Sequence, residues 1–159
     1  MNVYLVRHAE AEPKEVDAER PLTREGRRDA RRLAAVLRSM RLSVDAIWHS
    51  HKLRSKETAE AMAKAVQSKS GLVCRRDLRP NGDAPSLAAE IGSMDRDLML
   101  VGHEPHLGRL AACLLCQGKA ALLDLGKPSA ACLSRDDETG SWRVRWLLSA
   151  ELLAALPRR

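Results

Sequence analysis

The chain has 159 residues, with 27 lysines and arginines against 21 aspartates and glutamates, a formal charge of +6. That length suits a single domain over residues 1–159, able to bury about two-thirds of its unfolded surface, and the basic balance favours anionic partners without naming one. Three tryptophans, one tyrosine and no phenylalanine leave out the aromatic platforms of a single-strand nucleic-acid binder, and no apolar run approaches the roughly 18 residues of a membrane span; neither a nucleic-acid nor a membrane partner is expected.

Residues 3–6 form a short apolar run that reads as a strand, with no basic leader before it, so a soluble, cytoplasmic protein is expected. After a polar loop, residues 24–40 place Ala30, Leu33, Ala34 and Leu37 at i, i+3, i+4 and i+7, the pattern of an amphipathic helix. Thr23 is its candidate N-cap and Pro21 fixes the approach. The arginines from Arg24 to Arg32 then form a solvated outer face. Residues 44–48 read as a second strand. A helix over 52–66 follows, with Leu53, Ala59, Met62, Ala63 and Val66 turned inward.

Residues 72–75 suggest a third strand, and Pro80, Asn81, Gly82, Asp83 and Pro85 mark a loop before a short helix near 86–91. Residues 98–101 are a fourth apolar run, and Leu107, Leu110, Ala111 and Leu114 give another helical stripe. Strands at 130–133 and 142–148, joined by the polar turn 136–140, and a terminal helix over 151–156 complete the chain. Trp142 and Trp146 share strand parity and read as packing. Strands alternating with helices imply a three-layer α/β/α sandwich with a mainly parallel central sheet.

Four cysteines, Cys74, Cys113, Cys116 and Cys132, sit in apolar sequence and read as reduced core thiols. Cys113-Leu-Leu-Cys116 has C-x-x-C spacing, but it lacks a second pair or spaced histidines and lies inside a helical stripe. Packing is expected there, with no metal site.

Three strand-to-helix junctions carry the polar residues of interest: Arg7-His8, His49-Ser50-His51 through Arg54, and Gly102-His103-Glu104. In an open α/β sheet, ligands bind beyond the carboxyl ends of the strands, so Arg7, His8, Arg54 and His103 can meet. Two guanidinium forks and two imidazoles suit a phosphoryl group. A neutral imidazole is also a nucleophile, so His8 could attack phosphorus while Arg7, Arg54 and His103 stabilise the equatorial oxygens. His49, His51 and His106 read as loop or helix-start residues.

The segments VRHAEAE, RPLTREG, SHKLRSKETAE and LVGHEPHLGRLA resemble the successive motifs of the histidine phosphatase superfamily, the phosphoglycerate-mutase-like fold. Chain length and wording are similar to its small phosphohistidine phosphatase branch, the SixA-like proteins. The resemblance implies that His8 is the phosphorylated nucleophile, that Arg7 and Arg54 bind phosphate, and that His103 is the second histidine contacting the phosphoryl group. Arg20, in RPLT, matches an arginine of the small branch and is assigned to phosphate binding. No metal ion or other cofactor is implied. Ala9 stands where the commonest family signature has glycine, and His51 where many relatives have proline.

Larger relatives place a carboxylate after the third strand to protonate an alkoxide. That neighbourhood offers Asp83 as a possible general acid, or Glu90 further on. A phosphohistidine expels an imidazole, which needs no strong acid, whereas an ester expels an alkoxide that does. The sequence therefore leads to a metal-independent phosphatase acting on phosphohistidine in a phosphorelay or phosphotransfer protein. The alternatives are a phosphomonoesterase for a small phosphate ester and a catalytically weak phosphate-binding module.

Overall fold

The computed structural model describes residues 1–116, 118 and 123–157. The chain runs β1 (Asn2–Arg7), α1 (Arg24–Ser39), β2 (Ser43–Val44), β3 (Ala46–His49), α2 (Leu53–Ala63), β4 (Gln67–Ser68) and β5 (Leu72–Cys74). A single 3-10 turn (Arg76–Leu78) leads to α3 (Ala84–Gly92), β6 (Leu98–Gly102), α4 (His106–Cys116), β7 (Ser129–Arg135), β8 (Trp142–Leu148) and α5 (Ala150–Ala155).

Six strands form one sheet in the order β5-β3-β6-β1-β7-β8. The first four are parallel, and β7 and β8 add an antiparallel end. Alternation along the buried strands sends Val3, Leu5, Leu98 and Leu100 to one face, against Leu87 and Ile91 of α3 and Leu107 and Leu110 of α4. Tyr4, Val6, Met99 and Val101 take the other, against Leu33 and Leu37 of α1 and Ala59 and Met62 of α2. Each such aliphatic side chain contributes about 1.5–3 kcal/mol by leaving water, and together they make the three layers that the strand–helix alternation predicts. No helix among the described residues is long and apolar enough to cross a membrane.

Four expectations need correction. The strand over 44–48 is broken at Asp45, whose N–H leaves the strand pattern to donate to the Asp97 carbonyl at 2.8 Å; β2 instead pairs with β4 in a separate two-stranded ribbon. The helix over 52–66 stops at Ala63, where the chain turns towards β4, and Ala63 is exposed while Ser55 and Thr58 are buried. Between Cys132 and Leu133 the β7–β8 register shifts, so Cys132 faces Trp146 but Leu133 faces Val144. That bulge puts Trp146 beside Tyr4 in the α1–α2 core, with Trp142 against the opposite core. Of the four free cysteines only Cys132 is a core residue; Cys113 is half-buried, and Cys74 on the edge strand β5 and Cys116 in the last turn of α4 are exposed.

Candidate active site

The parallel register decides where the polar junctions go. Arg7, the last residue of β1, lies opposite Gly102, the last of β6, and His49 at the end of β3 lies opposite Val101. The pairing then continues one residue past the strands, with His8 N–H donating to the Gly102 carbonyl at 3.1 Å and Ser50 N–H to the Val101 carbonyl at 3.2 Å. Three loops thus emerge side by side at the edge of the sheet where α/β folds hold ligands.

His8 is 5% exposed, and its Nδ1 lies 2.7 Å from the carbonyl oxygen of Ala9. A carbonyl can only accept, so Nδ1 carries the proton and Nε2 keeps its lone pair. The guanidinium of Arg54 donates to that lone pair from Nε at 3.3 Å. Burial, reinforced by the charges of Arg54, Lys127 and Arg7, pushes the His8 pKa down to about 3, so the ring is neutral across the physiological range. A neutral imidazole with a fixed tautomer and an available Nε2 can serve as a nucleophile.

His103 is 2% exposed, and its ring centroid is 4.8 Å from that of His8, tilted by 59°. Burial first, then the neighbouring His8 and the charges of Arg54 and Lys52, push its pKa down to about 2. Both of its ring nitrogens are buried without a protein hydrogen-bond partner among the described residues, and so can meet an oxyanion.

Two guanidiniums, of Arg7 and Arg54, act on the pair, and a third, of Arg20, acts on Arg54. Arg7 donates from Nη1 to the Leu125 carbonyl, while its buried Nε has no protein partner among the described residues. Arg54 is half-buried, and burial together with the charge of Arg20 lowers its pKa. Arg20 is therefore within electrostatic reach of Arg54. Its backbone adopts the left-handed region, φ 52°, at a cost of about 1–2 kcal/mol for a residue with a side chain, and its Nε donates to the Glu12 carbonyl at 2.9 Å. Among the described residues none of Arg7, Arg20 and Arg54 has a carboxylate within 4.0 Å. Their charge is left for an anion, in the fork geometry that suits phosphoryl oxygens.

The buried polar face of α2 keeps these groups in register. Thr58 Oγ1 donates to the Arg54 carbonyl at 2.7 Å and accepts from the N–H of Ala9, next to the nucleophile, at 3.2 Å. Ser55 Oγ donates to the Val101 carbonyl at 2.7 Å and accepts from Ser50 N–H at 3.1 Å. The RPLTREG segment secures the other side of the loop. Thr23 N–H donates to the Glu10 carbonyl at 3.0 Å, and a Cβ at Gly26 would overlap that carbonyl oxygen, so α1 can approach only with glycine there.

The remaining candidates lie elsewhere or do other work. Asp83 is exposed and caps α3, its carboxylate accepting from Ser86 N–H at 3.1 Å. Glu90 is paired with Arg75 at 2.7 Å, and this bond holds its carboxyl below the usual range. His49 is buried and His51 exposed. His106 is buried at the start of α4, and burial lowers its pKa. Nothing in the sequence points to Thr58, hidden in a helix that reads as apolar on its inner side, and Glu104 stands at a polar junction without a marked role. The latter stands beside His103 in the GHE motif, and that adjacency was the available signal. Burial raises the Glu104 carboxyl pKa against the pull of the Gly108 N–H and of Arg7, and Oε1 is buried without a protein partner among the described residues. Among the described residues no three His, Cys, Asp or Glu side chains gather as a metal site.

Known proteins resemble this chain in sequence and fold. The profile of the histidine phosphatase superfamily (branch 1) matches residues 3–79. The phosphohistidine phosphatase SixA of Escherichia coli K12 is 26% identical over 154 residues, 94% of each chain. An uncharacterized protein of Picosynechococcus is 31% identical over 121 residues, 72% of this chain and 73% of that one. A solved structure of the protein histidine phosphatase SixA complexed with tungstate superposes with a TM-score of 0.81 at 24% identity, covering 94% of this chain and 97% of that one. With the sequence motifs, the sheet topology and these relatives in agreement, the chain belongs to the histidine phosphatase superfamily.

Proposed function

We propose that this phosphatase removes the phosphoryl group from phosphohistidine on a protein, through a phosphohistidine intermediate at His8. The observation that carries the reading is the fixed tautomer of His8, which presents an unprotonated Nε2 to the Arg54 guanidinium. In the first step the Nε2 lone pair attacks phosphorus and the P–N bond to the substrate imidazole breaks; the substrate ring, protonated from solvent on its other nitrogen, leaves as neutral imidazole. In the second, water attacks the phosphorus held on His8, inorganic phosphate leaves, and the neutral ring is regenerated. Arg7, Arg54, Arg20 and His103 would hold the three equatorial oxygens as their charge is redistributed in the transition state.

An imidazole leaves as readily as its conjugate acid is strong, and that acid has a pKa near 6.5. Such a substrate needs no dedicated proton donor, which fits a site whose histidines are both held neutral. The reading is tested by turnover without added metal of a phosphohistidine-bearing protein, p-nitrophenyl phosphate and a sugar phosphate. Much faster turnover of the first, lost in His8→Ala, is expected; equal or faster turnover of the sugar phosphate would contradict it.

One observation favours the second reading, a phosphomonoesterase for small esters. The Glu104 carboxyl, raised above its usual range beside Arg7, would be the donor that an alkoxide requires. In that case Glu104→Gln lowers turnover of the ester and leaves the phosphohistidine substrate unaffected.

A further inference from the structure

Beyond the phosphate pocket, the parallel pairing of β3 with β5 sets two more loops side by side. His49 lies opposite Cys74, and Arg75 N–H donates to the His49 carbonyl at 2.8 Å. The segment after β3, with His51 and Lys52, therefore runs next to the turn after β5, with Arg76 and Arg79. All four side chains are exposed. They form one electrostatic group: the positive charges of Lys52, Arg76, Arg79 and the pocket arginine Arg54 all act on His51, and that of Lys52 also reaches His103.

The acidic residues nearby do not neutralise this ledge. Asp77, inside the turn, is bound to Arg75 at 2.6 Å, and Glu90 holds the same guanidinium at 2.7 Å. Arg75 in turn lies over the Trp48 ring at 4.3 Å, so this internal ion pair fixes the turn. Among the described residues, Lys52, Arg76 and Arg79 have no carboxylate within 4.0 Å, whereas Lys127, which also acts on His8, pairs with Glu10 at 3.6 Å. Lys52, Arg76 and Arg79 thus leave unpaired charge on the β3–β5 side of the pocket.

Distance selects the occupant. β3 and β5 are two and three strands from β1 in the sheet, which at about 4.8 Å per strand is roughly 10–14 Å from the end of the nucleophile's strand. That separation suits side chains a few residues away from a phosphorylated residue in a polypeptide. The scarcity of aromatic side chains argues against a nucleic acid.

We propose that His51, Lys52, Arg76 and Arg79 form a docking ledge for an acidic segment flanking the phosphorylated histidine of the partner protein. The proposal rests on the phosphohistidine reading above and adds to it the charge of the partner. Attraction of this kind acts mainly on encounter and falls with salt.

The test compares two synthetic phosphohistidine peptides, one flanked by aspartates and glutamates and one by glutamines and serines, for the wild type and an Arg76→Glu/Arg79→Glu variant. The wild type should prefer the acidic peptide by about tenfold in kcat/KM at low salt, with the preference shrinking as salt is raised and vanishing in the variant. Turnover of p-nitrophenyl phosphate by the variant should stay within about twofold of wild type, showing that the pocket is intact. Equal turnover of the two peptides by the wild type, or a preference that survives the double substitution, overturns the ledge alone. Failure to hydrolyse either peptide while p-nitrophenyl phosphate is consumed overturns the phosphohistidine reading and the ledge with it.

Discussion

Arg54 Nε donates to Nε2 of His8 at 3.3 Å, so the guanidinium that would bind the phosphoryl group already lies on the lone pair that would attack it. For phosphorus to approach, this hydrogen bond must give way to one with a phosphoryl oxygen. The exchange keeps the positive charge at the reacting centre throughout and aims it at the oxygens where charge develops.

Removing that donor therefore costs rate more than stability. Arg54→Ala should lower kcat/KM by about 10²–10³, the usual loss for one preorganised donor, and Arg54→Lys should recover only part, because an ammonium lacks the planar fork. Steady-state kinetics checks the first figure and a thermal melt the second claim. A loss of less than threefold in Arg54→Ala would remove Arg54 from the reaction.

Thr58 links the two partners from behind, accepting from Ala9 N–H and donating to the Arg54 carbonyl. Thr58→Val keeps the shape and leaves a buried N–H unsatisfied, so unfolding free energy should fall by about 1–3 kcal/mol. Thr58→Ser should restore most of it. Because Thr58 hydrogen-bonds only to backbone, its effect on activity should appear in kcat and recover with the serine; a valine variant as active and stable as wild type would contradict this linkage.

The histidines set an acid limit. His8 and His103 are held down to about 3 and about 2 when folded, whereas an unfolded imidazole titrates near 6.5. Below pH 6.5 the unfolded chain binds more protons than the folded one, so this part of the stability is complete above pH 6.5 and is lost progressively as pH falls towards the folded values. Melting temperature should decline on acidification from pH 6.5, with a shallower slope in a His8→Asn/His103→Asn variant. An identical slope would show that these rings are not held neutral.

Asp83, the acid candidate of the sequence, offers a direct test of whether its carboxyl takes part. Asparagine caps a helix as well as aspartate, so Asp83→Asn keeps α3 and removes only the carboxyl's proton. Turnover of a phosphohistidine substrate should stay within about twofold of wild type, a window far narrower than the 10²–10⁴-fold attributed to general acids. A fall of a hundredfold with unchanged stability would make Asp83 the missing acid.

Much of the site could be read in the sequence because its residues stand at abrupt changes of period. The apolar run before Arg7-His8 and the one before Gly102-His103 end in polar pairs, and parallel strands leave only one edge at which such ends can meet. What escaped depends on contacts that no period encodes. Thr58 falls outside the apolar stripe of its helix, and only the approach of the Ala9 N–H shows why its hydroxyl is buried. The break at Asp45 depends on a carbonyl more than fifty residues away, at Asp97. The β8 bulge, which sends Trp142 and Trp146 to opposite cores, is set by register against β7 and leaves no mark in strand alternation. Cys74 and Cys116 resemble core residues by neighbourhood, and are exposed because one lies on an edge strand and the other at a helix end.

The central claim, covalent catalysis at His8, is tested most directly by rapid quenching of the enzyme with a phosphohistidine-bearing protein at alkaline pH, followed by mass spectrometry of its peptides. Phosphate on the peptide containing His8, formed and lost within the time of one turnover and absent in His8→Ala together with activity, is the predicted result. Full activity in His8→Ala, or turnover with the transient label on another residue, would contradict it.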